Sequence, residues 1–255
     1  MNSEEPGALY AVAPDGTHVQ RLTPDTIDAV WGPSWSPDGR RLVFGHRVCP
    51  EPSAECRSVL SILEADGAIT ELTTFTEGVS HVWPDWSPDG SRIAFGEIVA
   101  TQAGYVQRLA VINADGTDLT EIEIGASEFA SSPDWSPDSS QITFGKLYVV
   151  NADGTHLRAM LEPYSANNAA WSPDGRRIAF ARADQIWLMA PDGSDARPLT
   201  SGDRRWDPVW SPDGRRLAFW YPDGSWLGVM NVDGSSEHRL EIQTTDFDWG
   251  AATGS

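Results

Sequence analysis

Carboxylates and tryptophans recur at fixed offsets along this chain, and those offsets are where chemistry could arise. A Trp-Ser-Pro-Asp motif starts at Trp35, Trp86, Trp135, Trp171 and Trp210. Seven residues upstream stand Asp28, Val79, Glu128, Tyr164 and Asp203, and Asp246 joins them if Asp246-Phe247-Asp248-Trp249-Gly250 is aligned with Asp28-Ala29-Val30-Trp31-Gly32. The carboxylates of Asp28, Glu128, Asp203 and Asp246, gathered round one opening, would suit a hard cation such as calcium, which takes several oxygen ligands. The plainer use of carboxylates there is to cap or solvate the beginning of a strand. Four residues upstream of each motif Trp stand Trp31, Val82, Ser131, Asn167, Trp206 and, on the same alignment, Trp249, with His81 and Trp83 alongside. Together with Asn168, Arg204, Arg205 and Asp248, they offer apolar area with polar tips, which suits a protein, peptide or carbohydrate ligand. Packing between loops and strand edges would use the same residue types.

Signals for catalysis are poor. The chain has no Gly-x-Ser-x-Gly elbow, no His-Glu-x-x-His and no phosphate-cradling Gly-rich loop. Of the five histidines, His18, His156 and His238 follow tight turns, which leaves His46 and His81 as candidates for a catalytic metal. The reading favours a binding module without enzymatic activity, and the alternative is a metal-dependent hydrolase or lyase using His46, His81 and nearby carboxylates.

The elements that must position these residues are short strands. Each motif runs into an apolar segment that ends in Phe nine residues after its Trp, at Phe44, Phe95, Phe144, Phe180 and Phe219. Ser-Pro-Asp-Gly is a reverse turn, with Pro setting φ at its first central position and Gly taking the left-handed one, so two antiparallel strands flank it. The fourth-position Gly is replaced by Ser139 in the third copy, at an expected cost of about 1 kcal/mol in strain. A second hairpin alternates with the first, turning at Asp15-Gly16, Asp66-Gly67, Asp115-Gly116, Asp153-Gly154, Asp192-Gly193 and Asp233-Gly234. Two hairpins per repeat make four strands, a to d. Trp-to-Trp spacings of 51, 49, 36 and 39 lie near the period of propeller blades. Leu42-Val43-Phe44 and its four counterparts are apolar throughout, as a strand covered on both faces must be. The five motif Trp are expected in the core.

The fold expected is all-β, a six-bladed propeller of four-stranded antiparallel blades forming one domain over residues 1–255. Its ring is closed by the C-terminal strand joining the N-terminal hairpin, and no b strand is evident for that closing blade. Connections from d to a and from b to c share one face of the ring and vary in length, so binding groups are expected there.

A net charge of -19 argues against nucleic acid as a partner, and no run approaches the roughly 18 apolar residues of a membrane helix. The chain is expected to act as a monomer. Cys49 and Cys56 bracket a Pro-rich stretch, as a disulfide in an oxidising compartment or as two free thiols. No signal peptide is visible ahead of the first hairpin.

The recurring Trp-Ser-Pro-Asp-Gly-Arg-Arg-Leu/Ile-Ala-Phe and Asn-Ala-Asp-Gly-Thr segments, as at Trp171–Phe180 and Asn151–Thr155, resemble the propeller repeats of the TolB family along essentially the whole chain. That resemblance implies a propeller that binds partners, with an extracytoplasmic (periplasmic or secreted) location. TolB carries an α/β domain ahead of its propeller, whereas repeats here begin by residue 8, so the resemblance implies the propeller's binding role rather than a full Tol-Pal role.

Overall fold

The computed structural model describes residues 7–27, 30–51, 55–124, 130–161, 166–202, 204–221, 226–243 and 246–250. Each Ser-Pro-Asp-Gly turn folds as its composition demands. In the first, the Gly39 N–H donates to the Ser36 carbonyl at 2.8 Å, Ser36 Oγ donates to Asp38 Oδ1 at 2.6 Å, and the Arg41 N–H donates to Ser36 Oγ at 2.9 Å. The other four turns repeat this set, and in each the turn reverses strand a into strand b.

A two-stranded hairpin comes first, β1 (Tyr10–Ala11) with β2 (Gln20–Arg21). Blade 1 is β3 (Val30–Trp35), β4 (Leu42–Val48), β5 (Arg57–Leu63) and β6 (Ile69–Glu71). Blade 2 is β7 (Val79–Trp86), β8 (Arg92–Thr101), β9 (Gly104–Asn113) and β10 (Thr120–Ile122). Blade 3 is β11 (Asp134–Trp135), β12 (Gln141–Phe144), β13 (Tyr148–Asn151) and β14 (Arg158–Ala159). Blade 4 is β15 (Asn167–Trp171), β16 (Ile178–Arg182), β17 (Gln185–Met189) and β18 (Arg197–Pro198). Blade 5 is β19 (Trp206–Trp210), β20 (Arg216–Tyr221), β21 (Trp226–Asn231) and β22 (His238–Gln243). Every blade is an antiparallel meander in chain order. No helix among the described residues is long and apolar enough to cross a membrane.

Five complete blades stand where six were expected. Among the described residues, the sixth position holds the β1–β2 hairpin on the outside and residues 246–250 on the inside, and those last residues form no strand and pair with neither β1 nor β2. An inner segment needs a second strand beside it to enter a ladder, and none lies there among the described residues. The segment is instead held by its carboxylates: the Gly32 N–H donates to Asp246 Oδ2, and the Trp35 N–H donates to Asp248 Oδ2 at 2.8 Å.

The ring nonetheless closes, because buried clusters cross every gap. Val43 and Ile62 pack with Trp86 and Phe95 between blades 1 and 2, and Val111 and Ile122 pack with Trp135 and Phe144 between blades 2 and 3. Leu147 and Val149 meet Trp171 and Phe180, and Ala179 and Leu188 meet Trp210 and Phe219. Leu227 and Leu240 of blade 5 meet Phe247 and Trp249 of the tail, while Leu9 and Leu22 of the hairpin meet Leu42 and Phe44 of blade 1. The five Phe are fully buried, four of the five motif Trp are buried, and Trp35 is half-buried.

Arginines at the head of strand b lie over the next motif Trp, Arg41 on Trp86 at 4.6 Å and Arg92 on Trp135 at 4.8 Å. Arg216 covers Trp249 in the same way at 5.0 Å. Trp249 is therefore the sixth motif Trp, and the tail alignment suggested by sequence is off by four residues. The d-to-a connection varies in length, and the last one, 16 residues from Asp233 to Trp249, is shorter than the 18 to 20 elsewhere.

Cys49 and Cys56 form a disulfide that joins the ends of β4 and β5. The long second b-to-c connection proves to be strand rather than loop, since β8 and β9 each run ten residues to a tight turn. Ser139 adopts the left-handed conformation, at φ 57°, and its Oγ accepts the Asp89 N–H of blade 2 at 3.1 Å. What composition marks as a weak turn is thus a tie between neighbouring blades.

Candidate functional site

The inner strands line the centre of the ring, and four of them carry a bulge three residues before the motif Trp. Register shifts fall between Trp31 and Ser34, Val82 and Asp85, Asn167 and Ala170, and Trp206 and Val209. The bulge residues Gly32, Trp83, Asn168 and Asp207 all have φ between 50° and 57°, and Ser132 of blade 3 shares the conformation at 46°. Gly, Asn and Asp tolerate this region, whereas a bulky Trp there is an outlier held by its surroundings. These residues touch across blades: Asn168 Nδ2 donates to Asp207 Oδ1, and a Cβ at Gly32 would lie 3.2 Å from Trp83 Cα. Asp246, bonded to Gly32, takes the sixth place.

One layer further in, the residue just before the motif Trp latches the following blade wherever it is Ser or Asp. Ser34 Oγ accepts the Trp86 N–H at 3.0 Å, Asp85 Oδ2 the Trp135 N–H at 2.9 Å, and Asp134 Oδ2 the Trp171 N–H at 2.7 Å. Asp248 does the same for Trp35. Blades 4 and 5 carry Ala170 and Val209 there, so the latch exists on one side of the ring only. Burial of three carboxylates in the channel raises their pKa. Asp85 is pushed up to about 7 by burial and by the Asp248 charge, and Asp134 is raised well above the usual range by burial and by Asp85. Burial raises Asp248 as well, and lifts Asp246 to about 6 with help from Asp207.

The residues singled out from sequence divide into three groups. Trp31 and Trp206 lie half-buried over the second strand of their own blades. The Trp31 indole fills the space above Gly45, where a Cβ would meet its Nε1 at 2.6 Å. Trp206 packs on Trp220 with ring centres 5.5 Å apart and donates to Asp184 Oδ1 at 3.0 Å. Arg204 is exposed, stacks on Trp206 at 4.8 Å and pairs with Asp184 at 3.1 Å. Trp83 covers Gly96, Asn167 is exposed and Asn168 is half-buried. These six share the end of the inner strands where the d-to-a connections arrive.

The second group is occupied inside the blades. His81 is buried, with Nδ1 2.9 Å from Thr73 Oγ1 and Nε2 3.6 Å from Glu97, which in turn faces Arg108. Arg205 is buried and clasps Glu237 with two nitrogens at 2.7 to 2.9 Å. Asp248 and Trp249 serve ring closure and core packing. His81, Arg205 and Trp249 are engaged away from the mouth, with Thr73 and Glu97, with Glu237, and with Arg216, Leu227 and Leu240 respectively.

The third group is the carboxylate set. Asp28, Glu128 and Asp203 lie outside the described residues, and Asp246 stands in the bulge layer rather than at the start of a strand. Among the described residues, no three His, Cys, Asp or Glu side chains group as metal ligands. Sequence reasoning missed Asp85, Asp134 and Asp207. The first two were visible as a repeated Asp-Trp-Ser-Pro-Asp at Asp85–Asp89 and Asp134–Asp138.

Among solved structures, a protein of Agrobacterium tumefaciens described as a TolB superposes with a TM-score of 0.72 at 20% identity, covering 88% of this chain and 84% of that one. A nidogen/laminin complex gives 0.73 at 12% identity over 93% and 91%. An oligogalacturonate lyase bound to manganese gives 0.52 at 16% identity over 91% and 84%. At such identities the likeness is one of fold alone. No curated protein matches the chain in sequence. The TolB beta propeller domain model matches residues 2–248, and with a Trp-Ser-Pro-Asp turn joining strands a and b in each of the five blades, the chain belongs to that family.

Proposed function

We propose that this propeller is a non-enzymatic binding module working outside the cytoplasm, which grips a protein or peptide segment at the channel mouth. The observation that carries the reading is the half-exposed layer of Trp31, Trp83 and Trp206, with Arg204 and Asn167 open beside it, at one end of a stiff ring. Such rigid aromatic surface beside a cation and an amide suits an extended chain, whose peptide groups need polar partners and whose side chains need apolar area. The disulfide and membership of the TolB family support the extracytoplasmic location. The competing enzyme reading needs His46 and His81 free to hold a metal. His46 Nε2 lies 3.0 Å from Ser61 Oγ, with burial lowering its pKa, and His81 is engaged with Thr73 and Glu97.

A displayed library of random extended peptides, selected against the whole chain, tests this reading. Selected peptides are expected to lose about tenfold in affinity, roughly 1.4 kcal/mol, against Trp31→Ala or Trp206→Ala variants that keep the native circular dichroism. Binders indifferent to both substitutions, or a selection without binders beside glycan-array hits, would overturn the peptide reading.

A further inference from the structure

The mouth tryptophans are not equivalent, and the odd one points to the kind of segment the mouth takes. Trp31 and Trp206 stand one residue ahead of the bulge in their strands, where Gly32 and Asp207 take the left-handed conformation. Blade 2 has Val82 at that place and carries its tryptophan, Trp83, on the bulge itself, at φ 52°. The other bulge residues, Gly32, Ser132, Asn168 and Asp207, are small or polar, as this backbone region favours. A bulky indole there strains the backbone, although the place one residue earlier covers strand b without strain in blade 1. Bulges re-aim side chains, and this one does so at the mouth.

The shift of one residue turns the ring over. Trp31 lays its pyrrole edge on strand b, with Nε1 2.6 Å and Cδ1 3.0 Å from where a Cβ of Gly45 would stand. Trp83 lays the opposite edge on the equivalent Gly96, with Cε3 at 3.2 Å, which leaves its Nε1 on the side away from strand b. The three indole N–H groups differ accordingly. That of Trp31 is buried without a partner, and that of Trp206 donates to Asp184 at 3.0 Å. That of Trp83 is neither bonded among the described residues nor buried. The carboxylates of this layer are already engaged: Asp207 accepts from Asn168, Asp246 from the Gly32 N–H, and Asp184 from Trp206 and Arg204. The layer thus offers a ligand apolar rings and a free donor, with its acceptors taken. An ordinary extended segment brings an N–H at every residue, whereas proline brings a carbonyl and no N–H.

Resting on the mouth as the binding site, we infer that Trp83 selects the partner segment, donating its indole N–H to a main-chain carbonyl of a proline-rich stretch in the polyproline II conformation. Such a stretch makes no hydrogen bonds of its own, so its carbonyls are open to a donor, and it docks on aromatic rings with little conformational entropy to lose. Trp31 and Trp206 supply further apolar surface for its pyrrolidine rings. The strained backbone at Trp83 is what holds the donor outward.

The probe is an acetylated octaproline amide, titrated into the isotope-labelled whole chain beside a Gly-Ser peptide of the same length, with indole N–H resonances followed by NMR. Saturable binding of octaproline alone is expected, with the Trp83 indole proton moving downfield as it acquires an acceptor. Trp83→Phe keeps a ring over Gly96 and removes the donor, so it should weaken octaproline about fivefold while circular dichroism stays native. Equal binding of the Gly-Ser peptide, an unmoved Trp83 resonance at saturation, or full affinity in Trp83→Phe would overturn the inference, and the resonance reads it without any substitution. If octaproline fails to bind while displayed peptides still depend on Trp31 and Trp206, this inference falls and the mouth reading stands. If displayed peptides ignore both residues, the mouth reading falls and this inference with it.

Discussion

Single residues set the response of this protein to pH, and two classes of aspartate pull in opposite directions. In the turns, Asp38, Asp138, Asp174 and Asp213 are held below the usual carboxylate range by hydrogen bonds from Ser36, Ser136, Ser172 and Ser211. Their contribution is present above about pH 4 and lost as pH falls through their lowered folded values. In the channel, Asp85 and Asp246 titrate near 7 and 6, so the folded chain holds their protons more tightly than the unfolded chain does. That stabilisation is complete below about pH 4 and is lost as pH rises through 6 to 7. Stability should therefore peak in mildly acid solution. Asp85→Asn keeps an acceptor for the Trp135 N–H and removes the charge, so it should flatten the decline between about pH 5 and 8. The gain at pH 8 is expected to be on the order of 2 kcal/mol, read from urea unfolding across a pH series. A slope identical to that of the unaltered chain would exclude Asp85 as the group responsible.

At the scale of the element, the repeated turn does two jobs, reversing the chain and touching the turn of the neighbouring blade. Gly90, Gly175 and Gly214 lie against Pro37, Pro137 and Pro173 of the preceding blades. Ser139 replaces such a Gly and compensates for its left-handed backbone by accepting the Asp89 N–H, while its carbonyl accepts from Arg92 at 3.2 Å. Ser139→Ala keeps the strained φ and loses the acceptor, so it should cost about 1 kcal/mol. Ser139→Gly exchanges the lost bond for relief of strain and should be near neutral. Equal losses for both in urea denaturation would show that backbone strain at this turn is negligible. That the segment is a turn could be read from Trp-Ser-Pro-Asp alone, but its contact with blade 2 could not, because Asp89 and Ser139 lie 50 residues apart.

For the molecule as a whole, the weak point is the seam at the sixth position. Blades 1 to 5 are joined by buried clusters and complete sheets, whereas the seam depends on Asp246, Asp248, Trp249 and the short β1–β2 hairpin. Trp249→Ala removes the ring beneath Arg216 and its packing on Leu227 and Leu240, an expected loss of about 3 kcal/mol. Hydrogen exchange should then quicken at the Gly32 and Trp35 amides, which the tail carboxylates hold, well before blades 2 to 4 respond. Uniform quickening round the ring would show instead that the seam and the complete blades unfold together.

Local chemistry alone determined the turns, the buried strand b with its Phe, the alternating hairpins and the family, because a repeated motif carries its conformation with it. The pairing of Cys49 with Cys56 was half legible, from closeness in sequence. Tertiary structure decided the number of complete blades, the place of Trp249 in the core, the burial of His81 and Arg205, and the latch made by Asp85, Asp134 and Asp248. Each of these depends on which blade lies next to which, and on a four-residue difference in one connection. A hydrogen bond between residues 50 apart leaves no mark on the local pattern, since it exists only once the ring has closed.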